Sequence, residues 1–355
     1  MTVFSAKEFD NHEDILFFHD EKSGLKAIIA VHDTTLGPAL GGTRMWDYQN
    51  EEEAIADVLR LSRGMTYKSS LAGVNLGGGK SVIIGNARTD KTTELFEAFG
   101  RAVDQLGGTY IAAEDVGTTV PDLEIARRST RHIAGISEGN SGDPSPATAW
   151  GVFHGLRAAV QFELNKTNLT GVKVAVQGLG NVGYGLCELL KDAGAELIVA
   201  DPHEAAVDKA VRNLGATAVG VEAIYDQDAD VFAPCALGAI LNDDSIARLK
   251  VRVVAGSANN QLAEDRHAKM LMEKGILYAP DYAINAGGII IISHEGPNFK
   301  RDKAMQQVAG IHDTCLSIFE RAKRENVTTA EIADKIALER LENVRNEKAR
   351  LALAS

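Results

Sequence analysis

The chain has 355 residues, with 37 Lys plus Arg against 49 Asp plus Glu and a formal charge of −12. That balance excludes phosphate-backbone binding as the main task, because such binders concentrate positive charge to displace counterions, and no nucleic-acid partner is expected. With 45% hydrophobic and 24% charged residues, the composition is that of a globular protein with a sizeable core, and the length suggests two domains.

The first twenty residues set Lys7 among Glu8, Asp10, Glu13, Asp14 and Asp20, with no apolar segment ending in small residues, so no secretory signal is expected. Short β-rich runs at Ile15–His19, Ala27–His32, Ser81–Gly85 and Tyr110–Glu114 alternate with helical patterns, which predicts an α/β layered domain. The best helix begins at Asn50. Glu53 follows at capping-box spacing, and Ile55, Val58, Leu59 and Ser62 recur at helical intervals. If that helix continues past Gly64, Lys68 falls beside apolar neighbours at its end. The turn formers from Glu138 to Pro146 read as a linker or hinge.

Beyond it the rhythm changes. Strand-like runs at Val172–Gln177, Glu196–Asp201, Asp230–Pro234, Val251–Ala255 and Ile276–Ala279 are separated by helical stretches such as Gly185–Asp192, His203–Asn213 and Asp265–Glu273. Strand, helix, strand at this spacing predicts a parallel, doubly wound sheet of the Rossmann type. The apolar run Ala283–Ile292 is far shorter than the roughly 20 residues that span a bilayer, so no membrane partner is expected. Lys303–Glu325 and Thr328–Leu353 read as two long helices, the second opened by Thr328 and Glu331 in capping-box spacing. The resulting division is an α/β layered domain over 1–146, rejoined by the helix over about 327–355, and a doubly wound domain over 147–326. Cys187, Cys235 and Cys315 form no C-x-x-C pair and fit free thiols in a reducing cytoplasm. The nine histidines form no metal-binding motif, and no metal is expected.

Two stretches carry chemistry. After the strand ending at Gln177 comes Gly178-Leu179-Gly180-Asn181-Val182-Gly183, then a helix around Leu186, Leu189 and Leu190. In that setting Gly178 permits the tight turn, Gly180 lets backbone approach a pyrophosphate, Gly183 allows close helix packing, and the helix N-terminus faces the diphosphate. Asp201 ends the next strand, where a carboxylate accepts hydrogen bonds from a ribose diol and repels a 2′-phosphate. NAD is therefore the expected cofactor.

The second stretch is Gly64–Ser81. Gly79-Lys80-Ser81 suggests a triphosphate-binding loop, but that motif needs glycine five residues before Gly79 and the chain has Val74. Lys80 instead precedes an apolar strand beside Gly77, Gly78 and Gly79, which let a small substrate approach the backbone. Two lysines at one cleft suppress each other's protonation, and desolvation adds to the effect, so one can act as a base while the other holds a carboxylate. Asp115, ending the strand Tyr110–Glu114, offers a proton acceptor. The basic groups Arg127, Arg128, Arg131 and Lys300, Arg301, Lys303 read as solvated faces.

These segments, together with Leu36–Met45, Ala113–Thr118, Pro144–Thr148, Phe232–Gly238, Gly256–Gln261 and Ala279–Gly288, resemble the Glu/Leu/Phe/Val amino-acid dehydrogenase family over nearly the whole chain. The resemblance implies reversible oxidative deamination: an L-amino acid, NAD⁺ and water give a 2-oxo acid, ammonium and NADH. It makes Lys80 the general base that activates water, Lys68 the anchor of the substrate carboxylate and Asp115 the aid to proton transfer at the amino nitrogen. Asn260 and the backbone near Gly41 and Gly42 would fix the amino-acid end. Ser145, Thr148, Ala236, Leu237 and Asn259 would serve the cofactor, with Arg44 reaching it from the first domain. The likeness also implies a homo-oligomer, with substrate binding and oligomerisation assigned to the 1–146 domain, dinucleotide binding to the 147–326 domain, and a cleft between them. Hydride transfer needs the α-carbon held about 3 to 3.5 Å from the nicotinamide, and a hinge near Gly139–Pro146 would close the cleft against water.

Glutamate-type members carry a lysine where this chain has Leu40, just before Gly41-Gly42. A side-chain carboxylate there would lack a partner at a cost of several kcal/mol, so an apolar substrate is expected. Leu40, Ala113 and one of Ile290 to Ile292, with Ile291 at the centre, are candidate pocket walls. The run Ser257-Ala258-Asn259-Asn260 and Ser70-Leu71-Ala72 resemble phenylalanine-type members, which makes phenylalanine the expected substrate and leucine or valine the alternative. A silent NAD-binding sensor is the rival from another class, but it has no reason to keep a base, an anchor and an acceptor together.

Overall fold

The computed structural model describes residues 3–136 and 142–354. They fall into two units. Unit 1 takes Met1–Asp143, Ile292–Phe299 and Ala337–Ser355, and unit 2 takes Pro144–Ile291 and Lys300–Ile336.

Unit 1 is built on β1 (Asp14–Asp20), β2 (Leu25–Asp33), β3 (Ala39–Trp46), β4 (Gly77–Ile84) and β5 (Tyr110–Glu114), in the sheet order β1-β2-β4-β3-β5. The pairs β1–β2 and β2–β4 are antiparallel, whereas β3 runs parallel to both β4 and β5. Alternation sorts the side chains. Ile28, Ala30 and Val82 pack on Ala54, Val58 and Leu59 of α1 (Glu51–Leu71). Ala27, Ile29, Met45, Ile83 and Tyr110 meet Phe96 and Phe99 of α2 (Thr93–Asp104) and Leu123 of α3 (Val120–Arg127) on the other face.

Three features of this unit depart from the sequence reading. Strand β4 begins at Gly77 rather than Ser81, so Lys80 lies within the strand. Glycine is a poor strand former, but here an added Cβ would stand 2.2 Å from the Asp33 carbonyl at Gly77, 2.1 Å from Thr66 at Gly78 and 2.7 Å from the Tyr110 ring at Gly79. The triplet is what lets helix and aromatic ring lie directly on the sheet. Strand β3 went unread because Gly41 and Gly42 interrupt its pattern. Finally, α1 does run past Gly64, but its cap is half a box: Asn50 accepts from Glu53 N at 2.9 Å, while the Glu53 carboxylate accepts from Gln49 N.

Unit 2 opens with α4 (Ser145–Leu164), so Ser145 and Pro146 of the expected linker form a first helical turn, where proline is tolerated. Of that linker, residues 138–141 lie outside the described residues. Then come β6 (Lys173–Gln177), α5 (Asn181–Asp192), β7 (Glu196–Ala200), α6 (Glu204–Leu214), β8 (Thr217–Ala218), β9 (Val231–Pro234), α7 (Asp243–Arg248), β10 (Val253–Val254), α8 (Arg266–Glu273) and β11 (Leu277–Tyr278). All six strands are parallel, in the order β11-β10-β9-β6-β7-β8. That is a Rossmann-type doubly wound sheet, and its order reverses between β6 and β9, where such folds bind dinucleotides.

The remaining helices are α9 (Asp281–Ile284), α10 (Gly287–Ser293), α11 (Arg301–Ala309), α12 (Ile311–Glu325) and α13 (Thr329–Ala354). The single helix expected over Lys303–Glu325 is broken at Gly310, the residue of lowest helix propensity in that stretch. Thr328 caps α13 through Glu331 N at 3.2 Å. From Ala337 onward α13 belongs to unit 1. Its Arg340 donates to the carbonyls of Ser69, Ser70 and Val74, and Ala337 O accepts from the Ser70 hydroxyl, so the orphan acceptors at the end of α1 are satisfied. Among the described residues no helix is long and apolar enough to cross a membrane, and no group of His, Cys, Asp or Glu is placed to hold a metal.

Candidate active site

The registers Leu40↔Gly78, Arg44↔Val82, Leu40↔Ile111 and Gly42↔Ala113 put Leu40, Gly42 and Arg44 on one face with Gly78, Lys80, Ile111 and Ala113. It is the face that α1 covers, because Val82 packs there and Gly78 touches Thr66. On it Lys80 is 4% exposed, with Nζ 2.9 Å from Oδ2 of Asp115 in the turn after β5. Arg44 Nε stands 3.0 Å from the same oxygen. The Asp115 turn is held to β3: Asp115 N donates to the Thr118 hydroxyl at 3.1 Å, which donates to Thr43 O at 2.7 Å. Gly42 is the floor under the pair, since a Cβ there would lie 2.6 Å from Asp115 Cβ and 3.1 Å from Lys80 Nζ.

The electrostatics divide the two groups. Burial lowers the Lys80 pKa below the lysine range and Arg44 adds to it, against the opposing pull of Asp115. Burial pushes Asp115 up, but the charges of Lys80 and Arg44 more than reverse this and hold it below the usual carboxylate range. Asp115 is thus a stable anion beside an amine that gives up its proton more readily than a free lysine. That is the arrangement an acid–base site requires.

The structure places the other expected substrate residues unevenly. Leu40 and Ala113 are buried on the Lys80 face. Lys68 is half-buried on the last turns of α1, where its carbonyl accepts from Ala72 N. Gly41 lies on the opposite face, with its carbonyl accepting from the Tyr110 hydroxyl at 2.9 Å and a Cβ position only 1.7 Å from Gly79 O. Arg44, expected at the cofactor, is engaged by Asp115 and by Asp57 of α1 at 2.8 Å. In unit 2, Ile291 is fully buried in α10 and Asn260 is exposed with a left-handed φ of 50°.

The glycine turn follows its expected logic. Gly178 has φ +97° with Ala236 only 2.8 Å from its Cβ position, and Gly183 backs onto Gly178 O at 2.1 Å. The Cβ direction of Gly180 meets nothing within 4 Å, which leaves that backbone open to a ligand. Gly180 is also the N-cap of α5 and supplies no capping side chain, so Asn181 and Val182 begin the helix with free room for an anion. Asp201 accepts from Leu179 N at 2.7 Å and from His203 N at 2.8 Å, which fixes the carboxylate beside the turn. These features fit a dinucleotide. Thr148 donates to Pro144 O in the first turn of α4, beside Ser145. Ala236 and Leu237 form an exposed loop after β9, and Asn259 accepts from Asn285 Nδ2 at 2.8 Å.

Sequence reasoning missed Asp57, Tyr48 and Asn285. Asn285 is 6% exposed and its Oδ1 has no hydrogen-bond partner among the described residues. It stands in the quoted Ala279–Gly288 segment, which was the available signal. Asp57 and Tyr48 meet through tertiary folding between a loop and a helix face, and nothing in their spacing marks them.

Comparison with known proteins gives a consistent result. The family described as "Glu/Leu/Phe/Val dehydrogenase, dimerisation domain" matches residues 12–132, and "Glutamate/Leucine/Phenylalanine/Valine dehydrogenase" matches 139–210 and 199–348. Leucine dehydrogenase of Thermoactinomyces intermedius is 53% identical over 98% of this chain and 96% of its own. Phenylalanine dehydrogenase of Bacillus thermotolerans is 46% identical over 94% and 90%. The crystal structure of L-tryptophan dehydrogenase from Nostoc punctiforme superposes with a TM-score of 0.85 at 46% identity, covering 95% of this chain and 97% of that one.

Proposed function

The chain belongs to the Glu/Leu/Phe/Val dehydrogenase family and is an amino-acid dehydrogenase with the Rossmann-type unit of NAD(P)-dependent enzymes, and from that premise we propose that it oxidatively deaminates an apolar L-amino acid, leucine first, with NAD⁺. The observation that carries this reading is buried Lys80, on one sheet face with Leu40 and Ala113, paired with half-buried Asp115 in the adjoining turn. Lys80, lowered by burial, takes a proton from water. Asp115, ionised, accepts from the substrate's amino nitrogen, and Lys68 on α1 pairs with the α-carboxylate. The bound nicotinamide supplies the hydride acceptor. Asp201, fixed by two backbone donors, favours a ribose diol over a 2′-phosphate and hence NAD.

Leucine ranks first because the leucine dehydrogenase relative is the more similar of the two curated enzymes compared, at 53% against 46% identity. Phenylalanine is the second reading, supported by the Ser257-Ala258-Asn259-Asn260 run. The match to a dimerisation domain over 12–132 supports a homo-oligomer, and three unpaired cysteines support a reducing compartment such as the cytoplasm. The test is absorbance of reduced nicotinamide with each proteinogenic amino acid. Leucine should give the highest kcat/KM, glutamate should be at least about a hundredfold poorer, and Lys80→Ala should lose about a thousandfold in kcat. A preference for glutamate, or an active Lys80→Ala enzyme, refutes the reading.

A further inference from the structure

Asp115 carries two cations on one oxygen. Lys80 Nζ at 2.9 Å and Arg44 Nε at 3.0 Å both meet Oδ2. Arg44 is itself held: its NH1 lies 2.8 Å from Oδ2 of Asp57, in the second turn of α1. Asp57 is in turn gripped by the Tyr48 hydroxyl at 2.8 Å on that oxygen and by Arg60 NH2 at 2.9 Å on the other, and its side chain is only 15% exposed. None of Tyr48, Asp57 and Arg60 has a part in the chemistry proposed above.

A guanidinium is a rigid fork, so anchoring one arm sets the direction of the rest. We infer that Asp57 is a positioning residue for the reaction: through Arg44 it commits Oδ2 of Asp115 to the two cations and leaves Oδ1 for the substrate's amino nitrogen. The inference rests on the dehydrogenase reading of Lys80 and Asp115. Charge order supports it. Along the contacts Lys80, Asp115, Arg44, Asp57 and Arg60 the signs alternate, and with Lys80 neutral the remaining four cancel, so Lys80 loses its proton without leaving net charge in a half-buried cluster. The groups that act on Lys80 are Asp115 from the turn after β5, Arg44 from β3 and Asp57 from α1. Without Asp57 the excess charge of Arg44 falls on Lys80 and disfavours its ammonium form.

Asp57→Asn tests this, because it keeps the size and an acceptor for Tyr48 but drops the charge. Asp57→Glu restores the charge. We expect Asp57→Asn to lower kcat roughly 10- to 100-fold with KM for the amino acid changed less than about threefold. The acid limb of the kcat/KM pH profile should move down by about half a unit or more, and Asp57→Glu should recover most of the rate. An unchanged kcat overturns the inference. So does a lost rate with an unmoved acid limb, which marks a merely structural role. A second readout needs no turnover: acetic anhydride at graded pH, with the extent of Lys80 acetylation read by mass spectrometry. Its midpoint should fall by the same amount in Asp57→Asn, and an unmoved midpoint overturns the inference. A wild-type protein that turns over no amino acid, yet shows the shifted midpoint between wild type and variant, upholds the Asp57–Lys80 link and refutes the dehydrogenase reading instead.

Discussion

Replacing Gly42 by alanine adds one methyl group to a floor that has no room for it. The new carbon would stand 2.6 Å from Asp115 Cβ, 2.9 Å from Glu114 O and 3.1 Å from Lys80 Nζ. Ordinary contact begins at 3.4 Å, so Asp115 must retreat by close to an ångström. Its turn is tied to β3 through Thr118 and Thr43, and the retreat is resisted. Overpacking of this kind costs about 1 to 3 kcal/mol of stability, while a displacement of about 1 Å at the reacting groups costs about a hundredfold in rate. We therefore expect Gly42→Ala to fold, to keep its NADH affinity and to lose about a hundredfold in kcat. NADH fluorescence titration, thermal unfolding and steady-state rates with leucine measure the three quantities. A variant that keeps more than half the wild-type kcat would refute the reasoning, because the floor would then not position the pair.

Three further outcomes are expected. Burial pushes the His12 pKa down to about 4 from the ordinary 6.5, so it is neutral in the fold and protonated in the unfolded chain below that value. Its contribution is complete above about pH 6.5 and is lost as pH falls toward 4, by about 2 kcal/mol between pH 8 and pH 5. Buried His32 shifts in the same direction, and denaturant titrations of wild type and His12→Asn should show a shallower acid loss in the variant; equal losses would count against the assignment. Asp201→Ser should improve the kcat/KM ratio of NADP⁺ to NAD⁺ about tenfold or more by removing a like charge, and an unchanged ratio would show that Asp201 does not face the ribose. Leu40→Lys, on the Lys80 face, should reduce kcat/KM for leucine at least about tenfold and raise it for glutamate, whereas unaltered selectivity would place the substrate side chain elsewhere.

Much of this was legible in the residues because it follows from local rules. The strand before Gly178, the helix after it and Asp201 at the end of the next strand are each set by patterns within a few residues, and all three stand where the pattern puts them. The cap at Asn50 and the cap at Thr328 are likewise local. What was not legible depends on packing across the chain. Gly77, Gly78 and Gly79 look like a loop in sequence, and only the approach of Thr66 and Tyr110 makes them a strand. Arg44 is expected at the cofactor from the resemblance, and only folding shows it engaged by Asp57, thirteen residues away on another element and within 2.8 Å of it. Gly310 is only a weak signal for a helix end, since an isolated glycine costs only about 1 kcal/mol there.

The contacts of Arg340 with the last carbonyls of α1 have a bearing on synthesis. Lys68 is carried on that final turn, so the helix bearing it is finished by a side chain made some 270 residues later. A nascent chain that has already emitted its first sheet still lacks the piece that closes this end of the helix. The hold on a carboxylate proposed for Lys68 should thus be acquired late in synthesis, and clipping the polypeptide between Asn326 and Arg340 should silence it while the dinucleotide turn stays formed.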